Sequence, residues 1–252
     1  MARYQLILAY DGTSFQGYQR QGSKRTVQGE LEAVLKQVGW QGRAILSAGR
    51  TDTGVHASGQ VVAFDLDWQH DLKDLQNALN AKLPGDVSVR NIAEAADSFH
   101  PRFDAAARVY QYHIFFDENR DPVRERYAWR IWPELDNAGI IKAAAVLIGS
   151  HDFKAFGRAM KPGESTIRIV WNSEWRVVGE YERVYEIKAN AFLYHMVRRI
   201  VYLLVQCGQG RLNASDLEQA LETGKTLSPG LAPSNGLFLS NIFYKSSSRN
   251  KV

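Results

Sequence analysis

Two successive runs of strand-like and helix-like segments, meeting near residues 105–107, leave this 252-residue chain few architectures to choose from. In the first run, residues 4–10 are rich in apolar and aromatic side chains and end at Asp11-Gly12-Thr13, which predicts a strand and a turn. Thr26 stands where a helix cap belongs, ahead of Val27, Leu31, Val34, Leu35 and Val38 on one face. Residues 44–48 and 59–66 read as strands, with 49–58 as the loop between them. Residues 71–83 place Leu72, Leu75, Leu79 and Leu83 on one side of a helix that Pro84 stops, and 87–92 supply another strand.

The second run begins with an aromatic-rich strand at 107–116 and a helix at 137–148. Ile167, Ile169 and Trp171 alternate as in a strand, and 184–189 reads as its antiparallel return. A strongly apolar helix spans 195–207, and Ser215-Asp216-Leu217-Glu218 matches a capping box that opens another. Residues 236–244 close as a strand. Hairpin-like returns, in place of a steady strand-helix-strand beat, predict an α+β fold. The openings Ala2-Arg3-Tyr4 and Ala107-Arg108-Val109-Tyr110 echo each other, as two similar lobes would. The expected division is an N-terminal lobe at 1–105, a C-terminal lobe at 106–245, and a disordered basic tail at 246–252.

Composition narrows the function. With 45% hydrophobic and 23% charged residues the chain can bury a core and is not a disordered segment. No apolar run approaches the ~20 residues that cross a bilayer, and Asp11 interrupts the first apolar stretch before a signal-peptide core forms. The expectation is a soluble, cytoplasmic protein without a membrane partner. The single cysteine, Cys207, makes no internal disulfide and reads as a small hydrophobe on a helix face. Six scattered histidines predict no metal site. A net charge of +4 favours a polyanion as partner, provided the basic residues gather around chemistry.

The segment Ser47-Ala48-Gly49-Arg50-Thr51-Asp52-Thr53-Gly54-Val55-His56-Ala57 concentrates reactive side chains between apolar strands. Read alone, it is a turn in which Asp52 accepts backbone hydrogen bonds and Arg50 makes a surface ion pair. Read as a site, it is an ionised carboxylate in a partly dry cleft, with the Arg50 cation two residues away on the same face.

This segment closely resembles the catalytic loop of the bacterial TruA-type tRNA pseudouridine synthases, Gly-Arg-Thr-Asp-(Ala/Thr)-Gly-Val-His-Ala. Further matches follow in the family's order: Tyr10-Asp11-Gly12-Thr13-Ser14-Phe15-Gln16-Gly17-Tyr18-Gln19 with Thr26-Val27-Gln28, Ser98-Phe99-His100-Pro101-Arg102-Phe103-Asp104-Ala105, Arg108-Val109-Tyr110-Gln111-Tyr112, His151-Asp152-Phe153-Lys154-Ala155-Phe156, Phe192-Leu193-Tyr194-His195-Met196-Val197-Arg198 and Ala232-Pro233-Ser234-Asn235-Gly236-Leu237-Phe238-Leu239. Together they span nearly the whole chain. Tyr18 stands where tryptophan is commoner, and Arg199 where asparagine is, an added cation that would alter RNA contacts.

The resemblance implies two lobes with mainly antiparallel sheets packed by helices and an active-site cleft between them. It implies Asp52 as catalytic nucleophile, with Arg50 holding that carboxylate and opening the RNA stack. Tyr110 would lie beside the target base, and Arg198 would pair with the aspartate from the second lobe. Read from the residues alone, Tyr110 is equally a core tyrosine and Arg198 the flank of a helix.

The implied reaction turns uridine into pseudouridine in the anticodon arm of tRNA, at positions 38, 39 and 40. The enzyme would flip the base out of its stack and act as a homodimer. The reaction gains and loses no atoms and moves no electrons overall, so no cofactor is expected. Asp52 would attack ribose C1′ or add to uracil C6, and Asp52 or a group near Tyr110 would take the C5 proton. Lys24, Arg25, Arg102, Arg108 and Arg158 are candidate phosphate contacts, and His56 either touches substrate or fixes the turn; His100 and His195 read as structural. A non-catalytic RNA-binding module would not need an acid beside Arg50. An aspartate phosphotransferase would want a second acid for magnesium where Thr53 and Gly54 stand.

Overall fold

Alternation decides the first strand. In the computed structural model, which describes residues 1–245, every second residue of β1 (Ala2–Tyr10) from Tyr4 to Tyr10 is buried. That is the period of a strand with one face on a core. Helix α1 (Val27–Gln37) begins where the Thr26 hydroxyl accepts the Gly29 N–H, and buries Val27, Leu31, Val34 and Leu35. Strand β2 is only Leu46–Ser47, paired to Val62 and Ala63 of β3 (His56–Leu66). The sequence suggested 44–48 for β2 and a later start for β3, so the loop between them is shorter than expected.

Helix α2 (Leu72–Lys82) packs along β4 (Val87–Ala95), where Gln76 and Asn80 bond to Val89 and Arg90. Strand β1 runs antiparallel between β3 and β4. Nine of the eleven β3 positions are buried, the pattern of a strand covered on both faces.

The second unit carries β5 (Ala105–Phe116), the short parallel β6 (Trp129–Ile131), β7 (Gly149–Asp152), β8 (Ile167–Gly179) and β9 (Glu182–Ala189). Its antiparallel order is β5-β9-β8-β7. Helix α3 (Asn137–Ala145) is capped by Asp136 and packs on β8, α4 (Met196–Gly208) and α5 (Ala214–Thr223). In α4 all residues except Arg198 and Tyr202 are buried. A helix apolar nearly all round is a core helix, not the half-exposed one its sequence suggested. The capping box of α5 sits two residues earlier than Ser215-Glu218. Asn213 accepts the Asp216 N–H, and Asp216 returns the bond to the Asn213 N–H at 2.8 Å.

The last strand, β10 (Leu237–Tyr244), hydrogen-bonds β3. The chain thus divides into Met1–Ala106 plus Leu239 onward, and Ala107–Phe238, with the first division falling inside β5. Residues 239–245, expected in the second lobe, cluster with the first unit because β3 is their pairing partner. The tail at 246–252 lies outside the described residues. The elements are a mixture of helices and mainly antiparallel strands, the α+β class expected. No helix among the described residues is long and apolar enough to cross a membrane.

Candidate active site

The loop at 48–55, between β2 and β3, owes its shape to the segment that follows β1. Tyr18 N–H donates to the Thr51 carbonyl at 3.0 Å, and the Tyr10 hydroxyl meets Thr51 Oγ1 at 2.8 Å. Gly54 N–H reaches the Phe15 carbonyl, while the Gln60 amide holds the Gly49 carbonyl at 2.9 Å. Asp52 opens a turn closed by Val55 N–H on its own carbonyl at 3.2 Å. Gly54, at the third position of that turn, has φ +76°, which only glycine adopts without strain. Gly12 is required for another reason: a Cβ there would lie 2.0 Å from the Val55 carbonyl oxygen. The Tyr10–Tyr18 motif and the Asp52 loop are therefore one packed object, with Thr51 buried beneath and Asp52 half-buried above.

His56 is 1% exposed. Its Nδ1 accepts the Gly12 N–H at 3.0 Å and lies 3.2 Å from an Asp11 carboxylate oxygen. With Nδ1 accepting, the latter approach is not an ion pair. In this geometry His56 holds the Gly12 backbone, the turn-fixing contact the sequence offered as one alternative. Arg50 is exposed and makes no hydrogen bond or ion pair among the described residues.

Of the basic residues proposed for phosphate, Lys24 and Arg102 are exposed and Arg108 is half-buried, its guanidinium on the Asn190 carbonyl at 2.7 Å. Arg25 is committed elsewhere. Its guanidinium makes a bidentate pair with Asp86 at 2.7 and 2.9 Å, reaches Glu30 at 2.9 Å and lies over the Phe15 ring at 4.2 Å. The hydrogen bond to Asp86 heads the causes that raise its already high pKa. Arg25 ties the Phe15 segment to α1 and to the approach to β4.

In the second unit, Tyr110 is half-buried on β5, its ring edge-to-face with Phe192 at 5.0 Å. Arg198 is half-buried on α4. Its Nε donates to the Ala232 carbonyl at 2.8 Å, and its own carbonyl accepts the Ala232 N–H at 3.1 Å. Tyr112, two residues from Tyr110 on the same strand face, is fully buried and donates its hydroxyl to the Pro233 carbonyl at 2.7 Å. Burial drives its phenol pKa well up, and the Arg198 cation opposes that shift.

Arg199 is buried as well, with bonds to the carbonyls of Leu227 and Gly230 at 2.9 Å each and a pKa lowered by desolvation. It staples α4 to the loop at 227–230. The carbonyl contacts of Tyr112 and Arg199 were not foreseen in the sequence. The period of two from Tyr110 was a usable signal for Tyr112, whereas loop carbonyls leave no trace in side-chain pattern. His195, at φ +65°, is the one non-glycine residue with positive φ among the described residues, and its ring stacks on Tyr194 at 3.7 Å.

Residues 6–104 and 143–245 match the protein family described as tRNA pseudouridine synthase. The chain is 39% identical over 246 residues to tRNA pseudouridine synthase A of Fervidobacterium nodosum, covering 97% of this chain and 100% of that one. It is 37% identical over 240 residues to the protein of that name from Pseudothermotoga lettingae, covering 95% and 98%. The corresponding figures for Geobacillus kaustophilus are 38% over 247 residues, covering 96% and 95%. The chain belongs to the tRNA pseudouridine synthase family. Its members are isomerases, in keeping with a loop that offers a carboxylate and an arginine.

Proposed function

We propose that this enzyme converts uridine to pseudouridine in the anticodon stem-loop of tRNA, at positions 38, 39 and 40, with Asp52 as nucleophile. The observation that carries the reading is the Asp52 loop itself. A half-buried carboxylate stands on a turn fixed by Tyr10, Phe15, Tyr18 and Gln60, within a chain of this family. A nucleophile works best when its backbone is held before substrate arrives.

In the proposed reaction the uracil leaves its stack, at a cost of a few kcal/mol. Asp52 either displaces N1 at ribose C1′ and is itself displaced when C5 of the turned base bonds to C1′, or adds to uracil C6 and is expelled once the N1–C1′ bond has broken and C5 has bonded to C1′. In both routes the C5 proton passes to a base and N1 gains a proton, leaving the atom count unchanged and the carboxylate free. Arg50, exposed and unpaired among the described residues, enters the space the base vacates or takes its phosphate. Tyr110 is the ring against which uracil stacks, and Arg198 is a cationic member of the catalytic set. The enzyme acts in the cytoplasm as a homodimer, for which light scattering should return the mass of two chains.

The test is Asp52→Asn and Asp52→Ala on unmodified tRNA, with pseudouridine mapped nucleotide by nucleotide. Loss of product by more than about 1,000-fold is expected for a missing nucleophile. Wild-type levels at positions 38–40 in a folded variant would sink the assignment.

A further inference from the structure

We propose that the ring of Phe103, backed by His100 and flanked by Arg102, is a stacking platform for one unpaired base of the tRNA. This rests on the tRNA reading above and adds a contact to it. Residues 99–104 join β4 to β5 as a pinned turn. Asp104 accepts the His100 N–H at 2.8 Å and returns its own N–H to the His100 carbonyl at 3.0 Å. His100 Nδ1 accepts the Arg102 N–H at 3.1 Å. The base of the turn is tied to the first unit's sheet: the Tyr244 hydroxyl donates to the Pro101 carbonyl at 2.9 Å, and Arg3 donates to the Phe99 carbonyl at 3.0 Å.

On this braced turn Phe103 is 76% exposed. A lone exposed apolar side chain is ordinary; a lone one held in place is less so. The phenyl ring sits 4.2 Å from the His100 imidazole, and the Arg102 guanidinium lies 5.9 Å from its centroid. The ring is ordered before any ligand arrives, which lowers the entropy cost of binding. Its chain neighbours Arg102 and Asp104, like Asp97 and Ser98, are exposed and polar. A flat π-face beside a cation, among polar neighbours in the chain, suits a nucleobase whose phosphate lies near Arg102. Any base presents such a face, so the contact sets position and not sequence.

The test compares wild type with Phe103→Ala, Phe103→Leu and Phe103→Tyr for affinity to an unmodified tRNA transcript at several salt concentrations. Thermal melting serves as a folding control. Alanine and leucine are expected to weaken binding about 5- to 150-fold, the worth of one stacked base, while tyrosine stays within about twofold of wild type. The salt slope should not move, because no phosphate contact is lost. Unchanged affinity in the alanine and leucine variants overturns the inference, as does a leucine variant that binds like tyrosine. So does a fall to the one-chain mass in light scattering with affinity per chain intact. In each of those cases wild type still modifies tRNA; a wild type that neither binds nor modifies it overturns the tRNA reading first.

Discussion

Removing one oxygen atom, by Tyr112→Phe, tests how the second unit holds Arg198. The Tyr112 hydroxyl donates to the Pro233 carbonyl at 2.7 Å, and the neighbouring Ala232 carbonyl takes the Arg198 Nε at 2.8 Å. Phenylalanine keeps the ring in its buried place, so no cavity of consequence opens. A buried hydrogen bond is worth about 0.5–1.5 kcal/mol net, and a stranded dry carbonyl would add about 1–3 kcal/mol. Pro233 is only half-buried, so water can recover most of that second amount. The expected cost is therefore about 1–1.5 kcal/mol, or a Tm lowered by about 2–6 °C in a chain of this length.

On the role proposed for Arg198, turnover should suffer more than stability, since a shift of about 1 Å in a catalytic group costs up to about 100-fold. A fall in kcat of about tenfold or more, with the fold intact by circular dichroism, is the expected result. The phenol's pKa is raised in the folded state, so its contribution is complete below the unfolded value of about 10 and is lost as pH rises beyond it. The wild-type Tm should thus converge on that of the variant in strong alkali. A Tyr112→Phe enzyme with wild-type Tm and kcat would refute the claim that this hydroxyl holds the Pro233 segment.

Two further outcomes follow from the first unit. A double-mutant cycle of Tyr10→Phe and Thr51→Val should show a coupling of about 1 kcal/mol in stability, because their hydroxyls share one buried hydrogen bond at 2.8 Å; strictly additive losses would contradict that pairing. The Arg3 guanidinium, hydrogen-bonded to Asp65 at 2.7 and 2.9 Å, holds that carboxyl below the usual carboxylate range. Its contribution is present above the unfolded value of about 4 and is lost as pH falls through the folded one. For so exposed a pair the amount is about 0.5–1 kcal/mol, and Asp65→Asn should flatten the acid limb of stability against pH.

What the sequence disclosed and withheld follows from the reach of each interaction. Strand β1, helix α1 and helix α2 were legible because their apolar residues repeat at the period of the element and Thr26 and Pro84 mark two ends. Short β2 was overdrawn, since only two of its residues find partners on β3. Edge strand β7 and parallel β6 carry no alternation of their own, and pairing alone defines them. The loop around Asp52 was visible through its composition and its family resemblance, but the fate of the nearby charges was not. Arg25 and Arg50 are alike as letters; one meets Asp86, sixty-one residues away, and the other meets nothing in the described chain. Likewise, α4 declared itself a helix but concealed that it is buried almost all round, because Arg199 spends its charge on backbone carbonyls.

The pairing of β10 with β3 has a consequence for how this protein is made. The ribosome delivers β1 to β4 early, yet the strand that completes their sheet comes roughly 130 residues later, on the order of ten seconds at ordinary elongation rates. Through that interval the nascent first unit carries β3 with part of its edge unsatisfied, a template for any other extended chain. Folding from the N-terminus outward cannot finish the half of the molecule that bears Asp52. The strand β3 that follows the Asp52 loop gains its β10 partner only when residues 237–244 have left the exit tunnel, so a nascent chain stopped short of β10 is expected to be prone to aggregate.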